Sequence, residues 1–121
     1  MELDILNKAF TICKLPEDSP GKPRDGFFFL SRTDDELSLV CETSFVPERT
    51  LARDDGWRGF RIRGVLDFSL IGILADISGR LAREGISIFA VSTYNTDYLF
   101  TKADVFDRAV AILRQAGYAV R

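Results

Sequence analysis

The segment that joins a predicted strand to the first predicted helix holds residue types suited to binding a small charged molecule. It contains Asp67, Phe68, Ser69 and Gly72. A helix N-terminus offers unpaired backbone N–H groups and a positive dipole, which favour a carboxylate or a phosphate. Asp67 supplies an acid for a ligand ammonium group, and Gly72 lets a ligand approach the backbone closely. Together these residues predict a site for a zwitterion such as an amino acid.

The same residues also have a purely structural interpretation. Asp67 or Ser69 caps the helix, and Gly72 and Gly79 share one helix face and allow close packing. The local sequence by itself favours this interpretation. Asp97 has the same two interpretations, because an aspartate at the start of a strand often bonds turn amides or pairs with an arginine.

The sequence excludes the common catalytic and metal centres. It contains no histidine, so Ser-His-Asp triads, Cys-His pairs and HExxH zinc sites are impossible. Cys13 and Cys41 are far apart and form no CxxC motif, so we expect buried side chains in strands and no metal site. We therefore expect no catalytic residue, no cofactor and no metal.

Length, charge and the first residues restrict the class of protein. A chain of 121 residues forms one ordinary domain, or two small ones that share a core. Sixteen basic and eighteen acidic residues give a formal charge of -2, which argues against a partner such as nucleic acid or an anionic membrane. The acidic start shows no signal peptide, and the longest apolar run is far shorter than the ~20 residues of a membrane span. We expect a cytoplasmic protein.

The apolar pattern from residue 57 onward predicts the elements that hold these residues. In order, it predicts a strand at 57–63, a helix with its N-cap at Ser69 and its end at Gly85, strands at 87–93 and 97–102, a helix that ends before Gly117, and a strand at 118–120. This βαββαβ order indicates an α+β, ferredoxin-like sandwich. It implies a four-stranded antiparallel sheet with both helices on one face.

Residues 1–56 predict mostly strands, and an offset of 61 positions aligns part of them with the second half. Phe28 then aligns with Phe89, and Leu39 with Phe100. The shared strand-turn-strand order favours a degenerate duplication over chance. The predicted units are 1–56 and 57–121. In the unit 1–56, the position of the first helix holds only the Pro- and Gly-rich segment 16–26. We therefore expect the sheet of that unit to lack full coverage by helices. We also expect a buried strand at 27–30 and irregular structure at 44–56.

Three short strips of sequence carry a resemblance to a known family. They are Asp67-Phe68-Ser69 with Gly72, the run Gly85 to Phe89, and Ser92-Thr93-Tyr94 with Thr96-Asp97-Tyr98. On these residues the chain resembles the ACT-domain family. More narrowly, it is similar to small bacterial proteins related to the CASTOR-type arginine sensors. Segments 29–33 and 36–41 extend the resemblance into the first half.

The resemblance implies two ACT-like units in one chain, with a degenerate N-terminal half packed beside a complete C-terminal one. It also implies a small regulatory ligand, usually an amino acid, at an interface between units. When the family's ligand contacts are carried over residue by residue, the resemblance implies three sets of contacts. They are the loop residues Asp67, Phe68, Ser69 and Gly72, the Asp97 carboxylate, and the backbone edges of Ile88, Phe89 and Ala90. Leu70 stands where eukaryotic arginine sensors have an acidic residue, so a guanidinium would lose one partner here.

Three functional hypotheses follow. The first is a non-catalytic homodimer that senses an amino acid. The second is a ligand-free module that assembles through its sheet edges. The third is a small acyl-phosphate hydrolase, which ferredoxin-like folds also support. That chemistry needs an arginine and an asparagine at a phosphate loop, and Asn7 and Asn95 fall in no such loop, so we do not expect an enzyme.

Overall fold

The computed structural model of the protein describes residues 1–20, 23, 25–63 and 72–121. In chain order its elements are β1 (Glu2–Leu15), β2 (Phe28–Arg32), β3 (Leu37–Glu42), a 3₁₀ turn (Thr43–Phe45), β4 (Ala52–Ile62), α1 (Ile73–Arg83), β5 (Ile88–Ser92), β6 (Asp97–Lys102), α2 (Ala103–Gln115) and β7 (Ala119–Val120). The α+β class and the βαββαβ succession from β4 to β7 are confirmed. The chain forms two compact units: residues 1–7 with 58–121, called the C-terminal unit, and residues 8–57, called the N-terminal unit.

The C-terminal unit contains one strand more than the sequence predicted. Strand β7 pairs in parallel with the start of β1, and β1 in turn neighbours β4, so β7 is separated from β4. The N–H of Ala119 donates to the carbonyl of Met1, and the N–H of Arg121 donates to that of Leu3. Leu3 is fully buried in the helix-covered core, and this burial explains why the first residues join this unit.

The core of the C-terminal unit lies between its sheet and both helices. It consists of Leu3, Phe60, Ile62, Ile77, Leu81, Ile86, Leu99, Phe106, Ala109, Val110, Leu113 and Val120. Each helix contributes one apolar stripe at helical spacing, as predicted. The helices therefore hold β5 and β6 through apolar packing on one face of the sheet.

Both helices end in the same hydrogen-bonded motif. After α1, the N–H of Gly85 donates to the Ala82 carbonyl and the N–H of Ile86 donates to the Leu81 carbonyl. Gly85 has a φ of 73°, which glycine adopts without steric cost. Gly117 ends α2 with a φ of 100°, so both predicted C′ glycines are confirmed. The N-cap residue of α1 is Gly72 and not the predicted Ser69, which itself lies outside the described residues.

The N-terminal unit is built from the rest of β1, from β2 and β3, and from the start of β4. Strand β3 pairs antiparallel with both β1 and β2. A small core lies on one face and consists of Cys13, Leu15, Leu37, Leu39 and Cys41. Among the described residues between β1 and β2 there is no helix, and segment 43–51 contains only the 3₁₀ turn. That residues 1–56 are a degenerate ACT-like half remains a prediction.

Two expectations for the N-terminal unit were wrong. The strand at 27–30 is not buried, because Phe28 is 37% and Leu30 is 42% exposed. They lie on an edge strand on which no helix packs within the described part of this unit. Residues 52–56, predicted to be irregular, belong to β4. Asp55 lies within that strand and accepts hydrogen bonds from Thr11 of β1 and from Arg53, two residues earlier in β4. The bond from Thr11 is a cross-strand contact that local turn propensity does not show.

The hairpins β2–β3 and β5–β6 have the same length, register and turn, at an offset of 60 positions. Phe28 pairs with Cys41 in the first, and Ile88 pairs with Thr101 in the second. In the turns, the N–H of Thr33 donates to the Glu36 carbonyl at 2.9 Å, and the N–H of Thr93 donates to the Thr96 carbonyl at 2.9 Å. The predicted offset of 61 was therefore wrong by one residue.

Candidate functional site

Strand β5 forms the edge of the C-terminal unit, and it carries three predicted site residues, Ile88, Phe89 and Ala90. One of its sides is hydrogen-bonded to β6 over its whole length. Within the part of the chain that the structure describes, no strand pairs with its other side. An edge of this kind is a place where a ligand or another strand can bind.

A groove lies between the outer face of α1 and the beginning of β5. It has a volume of about 620 Å³ and is lined by Ala75, Ser78, Gly79, Ala82, Gly85, Ile86, Ser87 and Ile88. The four residues from α1 are small and follow helical spacing, so they form one shallow stripe. A Cβ atom on Gly79 would meet only the Arg83 guanidinium, at 3.7 Å. The groove can therefore receive another chain close to the helix backbone.

Asp97 lies at the start of β6, at the far end of the hairpin from Ile88. The Ser92 hydroxyl donates to its Oδ1 atom at 2.5 Å. The turn is instead held by Thr93, whose Oγ1 donates to the Thr96 carbonyl and accepts the Thr96 N–H. Asp97 is half-buried, and Ser92 is its only hydrogen-bonding partner among the described residues. The predicted bond from Asp97 to turn amides is thus replaced by the bond to Ser92.

The predicted site residues lie in different places around this hairpin. Ile88 lines the α1 groove, whereas Phe89 lies on the opposite face of the sheet and stacks on Phe100, with ring centroids 4.6 Å apart. Gly72 precedes α1, has a φ of 89°, and accepts the Asp76 N–H at its carbonyl. The remaining predicted contacts, Asp67, Phe68 and Ser69, lie outside the described residues.

Sequence reasoning missed the surface under Phe89. The Phe100 ring lies directly against Gly59, where an added Cβ would come within 2.7 Å of Phe100 Cδ1. Gly59 therefore makes room for the two stacked rings on the face opposite the helices. The signal in the sequence was Gly59 inside an apolar strand, since a glycine there often marks close approach of another group.

The arginines of β4 do not form one surface. The guanidinium of Arg58 lies 4.4 Å from the centroid of the Phe106 ring, on the helix side. Arg63 makes two hydrogen bonds to Asp4, and these bonds hold the pKa of Asp4 below its usual value. Because the charge of Arg63 is already paired with a carboxylate of the same unit, this arginine does not favour a phosphate site.

The two cysteines are buried, as predicted, and they form no disulfide with each other. Burial raises the pKa of both thiols, that of Cys41 to about 11. Over the described ranges, no group of three or more potential ligands is arranged to hold a metal ion. In those same ranges, no helix is both long and apolar enough to cross a membrane.

Comparison with known families decides the classification. Residues 52–115 match the family model of the ACT domain. The chain belongs to the ACT-domain family. The match covers β4 to α2, which include the open edge, the groove and Asp97. A separate family model, described as an N-terminal domain, matches residues 8–49.

Curated relatives of this ACT-domain protein include the human cytosolic arginine sensor for mTORC1 subunit 1, which is 31% identical over 97% of the chain. The corresponding sensor from Bos taurus is 31% identical over 79% of the chain. The chain spans only 39% and 31% of the lengths of these two relatives, respectively.

Solved structures share the fold over nearly the whole chain. A protein from Agobacterium tumefaciens has a TM-score of 0.88 and 32% identity, covering 99% of this chain and 91% of its own. The regulatory subunit of aspartate kinase from Thermus thermophilus has a TM-score of 0.65 at 12% identity, with 95% and 96% coverage. At that identity, the second likeness concerns the ACT fold alone.

Proposed function

We propose that this protein is a non-catalytic regulator that binds a small amino-acid-like ligand between the ACT domains of two copies. The observation that carries the proposal is the juxtaposition of the open β5 edge with the stripe of small residues on α1. A second copy placed there would face both backbone hydrogen-bonding groups and a helix that can be approached closely. The relatives named as arginine sensors support an amino acid as the class of ligand.

The chemistry of the described residues suits a zwitterion. The half-buried Asp97 carboxylate provides a partner for a ligand ammonium group, and the open N–H groups of β5 provide donors for a ligand carboxylate. Asp67, Phe68, Ser69 and Gly72 stay in the proposed site, as do Ile88, Phe89 and Ala90. The location of the protein in the cytoplasm is likewise a proposal, supported by the cytosolic relatives.

The experiment is a thermal-unfolding series with each standard amino acid and several nucleotides. A ligand at about 100 times its dissociation constant stabilises the native state by about 2.7 kcal/mol, which shifts the midpoint measurably. We expect a selective shift with one or two amino acids that is lost in Asp97→Ala. Asp107→Ala is the matched control, since Asp107 is an exposed acid on α2. Retention of the full shift in Asp97→Ala would contradict the assignment of Asp97.

A second variant tests the position of the site between two copies. Gly79→Arg fills the α1 groove, and we expect it to abolish both ligand stabilisation and dimerisation in sedimentation velocity. Ala111→Arg places the same charge on the exposed side of α2 and is expected to change neither. A Gly79→Arg protein that still binds the amino acid would place the ligand elsewhere.

The open edge also supports the second candidate, a ligand-free assembly module. This candidate predicts a dimer that Gly79→Arg disrupts. It also predicts that no amino acid or nucleotide shifts the midpoint of thermal unfolding. That combination would replace the sensing proposal while keeping the interface.

A further inference from the structure

One face of β2 presents three exposed side chains, Phe28, Leu30 and Arg32, which we call the β2 strip. Phe28 lies opposite the buried Cys41 in the pairing with β3, and Leu30 lies opposite the buried Leu39. Residues directly opposite in an antiparallel pair share a face of the sheet. The strip therefore continues the apolar face of the N-terminal unit to the sheet edge, where its side chains are accessible.

The equivalent hairpin in the C-terminal unit shows how such a face is covered. Ile88 is the counterpart of Phe28 at the offset of 60, and it packs against a core that includes Ile77 and Leu81 of α1. In the N-terminal unit, the described residues between β1 and β2 contain no helix. Phe28 is thus exposed at the position where its counterpart is covered by an amphipathic helix.

We propose that the β2 strip binds an amphipathic helix of a partner protein, in the place that α1 occupies over β5. The positive charge of Arg32 sets a requirement for the charge of the partner helix. Its guanidinium makes one long bond, 3.5 Å to the Glu17 carbonyl, and no carboxylate among the described residues pairs with it. The partner helix therefore carries an acidic side chain beside its apolar stripe.

The orientation of α1 places that acid in the first turn. Helix α1 ends at Arg83 and β5 begins at Ile88, so a short connection places the end of the helix near the start of the strand. The helix therefore begins toward the other end of β5. A helix laid over β2 in the same way begins near Arg32. Acidic side chains are favoured at a helix N-terminus, so the helix dipole and Arg32 select the same residue type.

A second copy of the chain is the less suitable occupant. Both helices of the described chain already bury their apolar sides in the C-terminal unit, so another copy offers no free amphipathic helix from those residues. Packing two β2 strips together would bring two Arg32 guanidinium groups onto one apolar surface without counter-charges, which is unfavourable.

The test uses a fluorescent peptide with the sequence of residues 72–85, which contains α1. Ala75→Lys and Gly79→Asp, joined by a side-chain lactam on the outer face, hold it helical, and Asp76 supplies the acid in its first turn. Fluorescence anisotropy with the intact protein is expected to show saturable binding. Leu30→Lys is expected to weaken it at least about tenfold, since about 1.4 kcal/mol of apolar contact is lost. Tyr94→Lys, on the tip of the other hairpin, is the control that leaves binding unchanged.

A charge exchange makes the test specific to Arg32. Arg32→Glu is expected to weaken binding of the peptide that carries Asp76. The same variant is expected to bind a peptide with Asp76→Lys, whose opposite charge complements the new glutamate. Circular dichroism verifies that each protein variant is folded, and stabilisation by amino acids is expected to stay unchanged because the strip lies outside the proposed ligand site. No saturable binding up to about 1 mM overturns the proposal, as does equal binding to Leu30→Lys. A dimer that Leu30→Lys dissociates, with no competition by the peptide, would also overturn it in favour of a second copy.

Discussion

The hydroxyl of Tyr118 donates a hydrogen bond to Asp76 Oδ2 at an O···O distance of 2.5 Å, and this bond links the segment after α2 to the first turn of α1. The same carboxylate oxygen accepts a hydrogen bond from Arg80 Nε at 3.0 Å. Asp76 therefore joins α1 to the segment that follows α2 within the C-terminal unit.

Tyr118→Phe removes this connection while keeping the aromatic ring. We expect a lower midpoint of thermal unfolding, because the variant loses a charge-assisted hydrogen bond between two elements far apart in sequence. Asp104→Asn, an exposed first-turn acid on α2, is the control for a general loss of polar contacts. An unchanged midpoint in Tyr118→Phe would show that the bond contributes nothing to stability in solution.

The acid dependence of stability should involve the same pair. The hydrogen bond from Tyr118, followed by that from Arg80, lowers the pKa of Asp76 below its ordinary value of 3.8. A lowered pKa in the folded state stabilises the protein above pH 3.8, and this contribution is lost as the pH falls through the folded value. The stability difference between wild type and Asp76→Asn should therefore shrink on acidification, as measured by urea unfolding at a series of pH values. A constant difference would contradict this linkage.

The alkaline titration of Tyr118 should be displaced in the opposite direction. Burial and the bond to Asp76 raise its pKa from 10.0 to about 12. The neutral phenol is favoured in the folded state, so its contribution to stability is complete below pH 10 and is lost as the pH rises toward 12. The difference in tyrosinate absorbance between wild type and Tyr118→Phe measures this titration. A transition at the ordinary tyrosine value would contradict the bond.

Two glycines should respond to alanine with opposite signs. Gly59→Ala forces a Cβ within 2.7 Å of Phe100, and we expect a loss of about 1–3 kcal/mol in the free energy of unfolding. Gly79→Ala adds a Cβ to an open helix face, and we expect a gain of about 0.5–1 kcal/mol. Chemical denaturation measures both. Rescue of Gly59→Ala by Phe100→Leu would identify the ring as the cause, and a neutral Gly59→Ala would contradict the close packing.

The buried thiols should be unreactive in the native protein. Burial raises the pKa of Cys13, and that of Cys41 to about 11, so both are protonated near neutral pH and inaccessible to reagents. Reaction with Ellman's reagent should follow the rate of unfolding, with both thiols released together in urea. Rapid reaction of either thiol without denaturant would show that the small core of the N-terminal unit opens readily.

The offset between the hairpins shows where reasoning from the sequence failed. Aligning Phe28 with Phe89 matched identical residues, but it also placed Leu39 on Phe100, and these two side chains belong to opposite faces. Leu39 lies in the N-terminal core, whereas Phe100 lies against Gly59 on the face without helices. A shift of one residue exchanges the faces of a strand. Only the hydrogen-bonded register distinguishes 60 from 61.

The candidate site was predictable from the sequence only in part. The sequence identified the hairpin that carries Ile88 and Asp97, because alternating apolar residues and turn signals are local. It did not show that β5 is an edge strand, since strand order depends on pairings between distant segments. It also gave no sign that Ser92 holds Asp97, because that bond requires the particular register of β5 and β6.

By itself, the sequence determined the succession of elements from β4 to β7, the two helices with their apolar stripes, the glycines that end them, and the absence of histidine chemistry. These properties depend on residue type and on spacing along a few turns or strands. The tertiary structure alone decided that residues 1–7 join the C-terminal unit and that Phe28 and Leu30 remain exposed. Both follow from apolar packing between distant segments, since a side chain is buried only where another element is present to cover it.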